Sequence, residues 1–74
     1  MKNPLVTITL YTFNQEKYVQ ESVRAVLNQT YSPLEIIISD DCSTDRTVDI
    51  IKSTVLNENC RHKVILNVNS TNLG

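Results

Sequence analysis

The sequence predicts an α/β fold, a three-stranded parallel sheet of order 3-2-1 flanked by helices. Three observations carry that reading. The stretch Leu34-Glu35-Ile36-Ile37-Ile38-Ser39-Asp40-Asp41 is uninterruptedly apolar from Ile36 to Ile38 and ends in turn formers, the pattern of a strand buried on both faces of a parallel sheet. On either side of it the hydrophobic period becomes helical. Beyond each helical segment lies another β-branched run, so the order is β-α-β-α-β, with parallel strands and right-handed crossovers.

Leu5 to Leu10, reading Leu-Val-Thr-Ile-Thr-Leu, is the first strand, with Pro4 tolerated at its start. A polar and aromatic loop, Tyr11-Thr12-Phe13-Asn14, follows. From Gln15 to about Gln29 the residues Val19, Val23, Val26, Leu27 and Thr30 fall on one stripe of a helix. Asn14 is placed to act as its N-cap, and Glu16 lies in the first turn, where the helix dipole favours an acid. Tyr31-Ser32-Pro33 ends this element, because a residue before proline avoids the α region. After the second strand, Thr44 or Asp45 is expected to cap a second helix running to about Leu56, with Val48, Ile51 and Val55 as its apolar stripe. Val64 to Val68 forms the third strand. The tail Asn69 to Gly74 is turn-forming.

Composition bounds the function. The 74 residues make room for one small domain, and a formal net charge of -1 offers no footprint for nucleic acid. No apolar run approaches the ~18 residues of a membrane span, and no small-residue cleavage site follows the N-terminus. Cys42 and Cys60 have no metal-ligand spacing and are too few for a disulfide framework, so they read as free thiols in a reducing compartment. The expected location is cytoplasmic. In that setting the sequons Asn28-Gln29-Thr30 and Asn69-Ser70-Thr71 are chance matches, and His62 reads as a lone surface histidine. Gly74 is the one glycine in the chain. A backbone phosphate cradle of the glycine-rich kind is therefore excluded. Any nucleotide bound here must be gripped by side chains.

In open α/β sheets, ligands bind outside the carboxyl ends of the strands. Three groups converge there: Tyr11 to Asn14, Asp40 to Asp45, and Asn69 to Gly74. A carboxylate accepts a hydrogen bond from an imide N–H, and an aromatic ring stacks on a base. The competing employment for Asp41 and Ser43 is to organise a turn and cap the second helix. The first strand is uncharged and sits at a sheet edge, so the isolated chain is expected to dimerise through that edge or to be poorly soluble.

These residues together resemble the N-terminal nucleotide-binding half of family 2 glycosyltransferases of the GT-A fold. The carriers are Val6-Thr7-Ile8-Thr9-Leu10-Tyr11-Thr12-Phe13-Asn14, then Val26-Leu27-Asn28-Gln29-Thr30-Tyr31, then Glu35 to Asp45, and last Asn72-Leu73-Gly74. Each is weak alone, but in this order and spacing they are specific. The resemblance covers about Pro4 to Gly74 and makes the chain a Rossmann-like β-α-β-α-β half of a GT-A domain, a single partial domain over 1–74.

The resemblance implies transfer of a sugar from a nucleoside diphosphate donor, commonly a UDP-sugar, to an acceptor such as a polysaccharide or a lipid-linked glycan. It places Phe13 against the base and Asp41 in contact with it. Asp40 either contacts the ribose or only orients the loop. Tyr11 stands where the family often has proline or threonine. Cys42 replaces the glycine of the Asp-Asp-Gly-Ser pattern, which disfavours a positive φ at that position. Asn72 and Gly74 begin a motif that lines the donor site. The family's divalent metal (Mg or Mn) is expected on an Asp-x-Asp motif beyond Gly74, as is the general base, so no metal ligand or catalytic residue is assigned within this chain. The chain is expected to be inactive alone, and membrane association of the full-length parent through later segments is an open expectation. The alternative is a non-catalytic, receiver-like module that uses the acidic pair for a metal or a partner.

Overall fold

The computed structural model describes residues 3–70. Its elements are β1 (Val6–Thr12), α1 (Val19–Leu27), β2 (Leu34–Asp40), α2 (Thr47–Asn57) and β3 (Lys63–Val68). All three strands are parallel, in the order β1-β2-β3, which is the expected 3-2-1 order read from the other edge. The register aligns Ile8, Ile36 and Val64 in one row, and Leu10, Ile38 and Leu66 in the row two residues on.

Side chains alternate across a strand, so these two rows share one face. That face carries the core. Leu34, Ile36 and Ile38 are buried against Val19, Val23 and Leu27 of α1 and Ile51 of α2. Both helices pack on this side, in contact with each other, and an Arg24–Glu58 ion pair at 2.9 Å joins their ends. Burial of β2 on both faces is therefore corrected. Glu35, Ile37 and Ser39 look to the opposite side and are only partly buried. The unbroken apolar run arises because Ile37 lies in register between Thr9 and Ile65, packing sideways within the sheet. At the amino end of the same face, Glu35 accepts a hydrogen bond from Thr7 Oγ1 at 3.2 Å and pairs with Lys63 at 3.7 Å.

The helices differ from their sequence patterns in instructive ways. α1 begins at Val19, and Gln15 to Tyr18 form a preceding turn, with Tyr18 and Val19 N–H both bonded to the Gln15 carbonyl. Asn14 is not its N-cap, because its side chain is engaged elsewhere. The C-terminal carbonyls are met by side-chain amides: Asn28 Nδ2 donates to Arg24 O at 2.8 Å and Gln29 Nε2 to Ala25 O at 3.0 Å. Thr30 falls outside the helix and is exposed. In α2 the buried stripe is Thr47, Ile51 and Thr54, rotated from the expected Val48, Ile51 and Val55. Threonine is tolerated there because its hydroxyl finds a local partner, as where Thr54 Oγ1 donates to Ile50 O at 2.6 Å. No helix among the described residues is long and apolar enough to cross a membrane.

The two faces of β2 yield a stability test. Ile36→Ala opens a void in the sealed face and is expected to cost about 2–5 kcal/mol in denaturant unfolding. Ile37→Ala, on the open face, is expected to cost less than half of that. Equal losses would mean that the second face is as deeply buried as the first.

Candidate functional site

The site begins with what alternation does to two adjacent acids. Asp40 is the last residue of β2 and shares its parity with Ile36 and Ile38, so its side chain turns toward the helices. It is fully buried. Its carboxylate accepts hydrogen bonds from Thr12 Oγ1 at 2.6 Å, Ser43 Oγ at 2.6 Å and the Ser43 backbone N–H at 2.8 Å. Burial alone would raise this carboxyl, but the bonds from Ser43 and Thr12 outweigh it and hold the group below the ordinary aspartate value. Of the two roles expected for Asp40, the geometry gives it the orientation of the loop.

Asp41 is turned the other way. Its N–H continues the ladder by donating to Thr12 O at 3.0 Å, and its side chain lies on the open face with those of Tyr11, Ser39 and Asn69. Together with Phe13 and Gln15 they line a cavity of about 510 Å³ at the carboxyl edge of the sheet. Tyr11 is 75% exposed and Phe13 44% exposed, so both aromatic residues are open to solvent at this edge. Asn69 N–H donates to Asp40 O at 2.9 Å, which carries the β2–β3 pairing past Val68. Asn69 Nδ2 then donates to Asp41 Oδ1 at 3.4 Å. Asn72 and Gly74 lie outside the described residues.

Two loops are clasped to present this cavity. Asn14 has φ 47°, a left-handed conformation that asparagine tolerates better than most residues. Its N–H donates to Ser43 Oγ at 2.9 Å, and its Oδ1 accepts from Thr44 N at 2.8 Å. The loop after β1 thereby binds the loop after β2 through side chain and backbone at once. Ser43 Oγ stands in the middle, accepting from Asn14 and donating to Asp40. Cys42 also has a positive φ, 58°, which corrects the expectation set by its replacing glycine. The strain is tolerated because the residues around it are pinned by Asp40 and Asn14.

A second clasp lies behind the first. Gln15 N–H donates to Thr47 Oγ1 at 2.7 Å, and Glu16 N–H donates to Asp45 Oδ2 at 3.3 Å. Asp45 Oδ1 accepts from Thr47 Oγ1 and from Thr47 N, the latter at 2.9 Å. Asp45 thus serves the first turn of α2, although the residue at the N-cap is Arg46, whose side chain makes no cap bond. Burial would raise the Asp45 carboxyl, and its bonds from Thr47 and Glu16 instead hold it below the ordinary value.

Among the described residues no group of three His, Cys, Asp or Glu side chains is placed to hold a metal ion. Asp40 and Asp41 diverge to opposite faces and do not act as a pair, which removes the geometry a receiver-like module would need. Cys42 and Cys60 are free thiols, and His62 Nε2 lies 2.6 Å from Gln29 O. What the site offers is an open cavity lined by aromatic and hydrogen-bonding side chains. Ser39, Gln15 and Asn69 were not singled out as site residues from the sequence. Strand parity identifies two of them, since Ser39 and Asn69 share the open face with Asp41.

A parallel β-α-β-α-β sheet with a side-chain-lined cavity at its carboxyl edge defines a class of α/β folds whose ligands bind outside the carboxyl ends of the strands. The chain belongs to glycosyl transferase family 2, whose family model matches residues 7–74. It is 38% identical over 77 residues to an uncharacterized glycosyltransferase of Haemophilus influenzae, covering 96% of this chain and 24% of that protein. It is 32% identical over 66 residues to a GalNAc(5)-diNAcBac-PP-undecaprenol beta-1,3-glucosyltransferase of Campylobacter jejuni, covering 89% of this chain and 21% of that protein. Similarity to an Escherichia coli chondroitin synthase reaches 43% identity over 54 residues, 73% of this chain and 8% of that protein. The chain therefore spans about a quarter or less of the length of these relatives.

The Asp40 clasp has a pH signature. Its folded-state value is depressed, so its contribution is present above the unfolded value of ~3.9 and is lost as pH falls through the lower folded value. Asp40→Asn is expected to cost about 1–3 kcal/mol at neutral pH. Acid titration of the variant should show a shallower loss of stability below about pH 4 than the parent chain. Parallel acid profiles for the two proteins would remove Asp40 from this role.

Proposed function

We propose that the chain is the nucleotide-recognising part of a glycosyltransferase that takes a sugar from a nucleoside diphosphate donor, with UDP as the nucleotide. The observation that carries this reading is the cavity at the carboxyl edge, which Asp41 and Phe13 line together. Family membership supports sugar transfer as the class of reaction. In this reading the Asp41 side chain accepts the imide N–H of uracil, Phe13 stacks on the ring, and Tyr11 lines the same cavity. Asp40 and Asn14 hold the loops that carry Asp41 and Phe13 and need not touch the ligand.

The acceptor in this reading is a polysaccharide or a lipid-linked glycan. The glucosyltransferase of Campylobacter jejuni and the chondroitin synthase of Escherichia coli bear names of those two kinds. A divalent metal, Mg or Mn, belongs to the proposal for the whole enzyme, where it would offset charge on the diphosphate leaving group. The described residues of this chain do not fit such a metal, since no three His, Cys, Asp or Glu side chains come together among them. Asn72 and Gly74 remain proposed donor-site residues on the strength of the motif alone.

A titration of the isotopically labelled chain with UDP, followed by amide chemical shifts, tests the assignment. Shifts should concentrate at Phe13, Asp41 and Asn69, and Asp41→Ala and Phe13→Ala should each weaken binding about tenfold or more. Unchanged affinity in both variants would sink it.

We also propose that the uncharged outer edge of β1 pairs with a second copy of the chain, since it offers no charge or proline from Val6 to Thr12 to discourage strand addition. Light scattering at high concentration should then report a dimer or larger species. A monodisperse monomer would contradict it.

A further inference from the structure

We propose that the turn from Asn14 to Tyr18, with Asp45 beside it, forms a second binding site, one that takes an uncharged sugar ring. It rests on sugar transfer as the class of reaction and not on the first cavity being a base site. Asn14, Gln15, Glu16, Lys17, Tyr18 and Asp45 line a cavity of about 180 Å³, smaller than the one that holds Asp41 and Phe13. Gln15 belongs to both linings, so the two cavities adjoin.

The lining has the chemistry of a site for a hydroxylated ring. Every side chain in it ends in a polar group, and none is aliphatic. Its flat apolar surface is the ring of Tyr18, a residue 68% exposed. The C–H groups on the flat side of a pyranose are slightly positive and settle on the negative face of an aromatic ring. Its hydroxyls both donate and accept, which amides, carboxylates and an ammonium answer together. The turn is also set before a ligand arrives. Gln15 O accepts from Tyr18 N–H at 2.9 Å and Val19 N–H at 2.8 Å, while the Gln15 and Glu16 N–H groups are tied to Thr47 Oγ1 and Asp45 Oδ2. The side chains of Gln15, Glu16 and Lys17 make no hydrogen bond or ion pair with another described residue, so their polar ends are available. Fixing the backbone in advance lowers the ordering cost of binding. Charge then selects among sugars. Glu16 and Asp45 set two carboxylates against the one ammonium of Lys17. A phosphate or a uronate would meet an excess of like charge, so the ring that fits is neutral.

The methyl glycosides of glucose, N-acetylglucosamine and glucuronic acid are titrated into the labelled 74-residue chain, followed by amide shifts and by saturation transfer from the aromatic protons. The neutral glycosides should bind with a Kd of about 1 mM, with shifts centred on Gln15 to Tyr18 and Asp45. The glucuronide should bind about threefold more weakly or worse. Tyr18→Ala should weaken the neutral glycosides about fivefold or more, while Tyr18→Phe keeps most of the affinity. An unchanged melting curve for each variant separates lost stacking from lost structure. Saturating UDP should leave the shifts at Tyr18 in place. Absence of a saturable shift at Tyr18, full affinity in Tyr18→Ala, or displacement of the glycosides by UDP would each overturn the site. A glucuronide that binds as well as the neutral glycosides removes charge as the selector. If the glycosides bind at Tyr18 and UDP binds nowhere, the base reading falls and this site stands; the reverse result removes this site alone.

Discussion

The buried carboxylate of Asp40 is the constraint on which the rest depends. It sits where β1, β2 and the loop before α2 meet, and it receives Thr12 from one strand and Ser43 from the other loop. An isolated charge in that position would be strongly unfavourable, and the three donors are what make its burial possible. Remove them and the strand ends have no common anchor. Through Ser43 the same charge reaches Asn14, so the backbone on both sides of the cavity is referred to one point.

This arrangement explains why two strained positions persist side by side in the fold. Asn14 and Cys42 both occupy the left-handed region, and each lies in a loop held at several points by hydrogen bonds. Local strain of this kind survives only where the surroundings over-determine it. The clasp supplies that determination without a glycine. Asn14 is thereby used between loops, while the N-cap of α1 falls at Tyr18, whose side chain makes no cap bond.

Much of this was legible in the sequence. The element order and the parallel sheet follow from the changes of hydrophobic period, the strand order from the usual order of such folds, and the α1 residues Val19, Val23 and Leu27 are buried as their spacing implies. The α2 stripe was not legible, because apolarity pointed to Val48 and Val55 whereas threonines 47 and 54 face the core with their hydroxyls satisfied. One-sided burial of β2 was hidden as well, since a run of isoleucines looks the same whether its second face is covered by helices or only flanked by neighbouring strands. For the site, the sequence placed Asp41, Phe13 and Tyr11 at the carboxyl edge, where they line one cavity. It left Asp40 between two roles, and it placed Asn69 only within the tail that converges on this edge, because the relation of Asn69 to Asp41 depends on the register between β2 and β3.

The alternation of β2 carries a broader consequence. Even-numbered positions from Leu34 to Asp40 carry the core and the anchor, while Ser39 and Asp41 face the cavity. The core and the proposed binding site are thus written on opposite sides of a single backbone. A change of ligand preference needs substitutions only on the second side, where the helices are not touched. Such a strand is free to diversify in what it binds while remaining the same strand, and a fold built around it can drift in specificity without passing through an unfolded intermediate sequence.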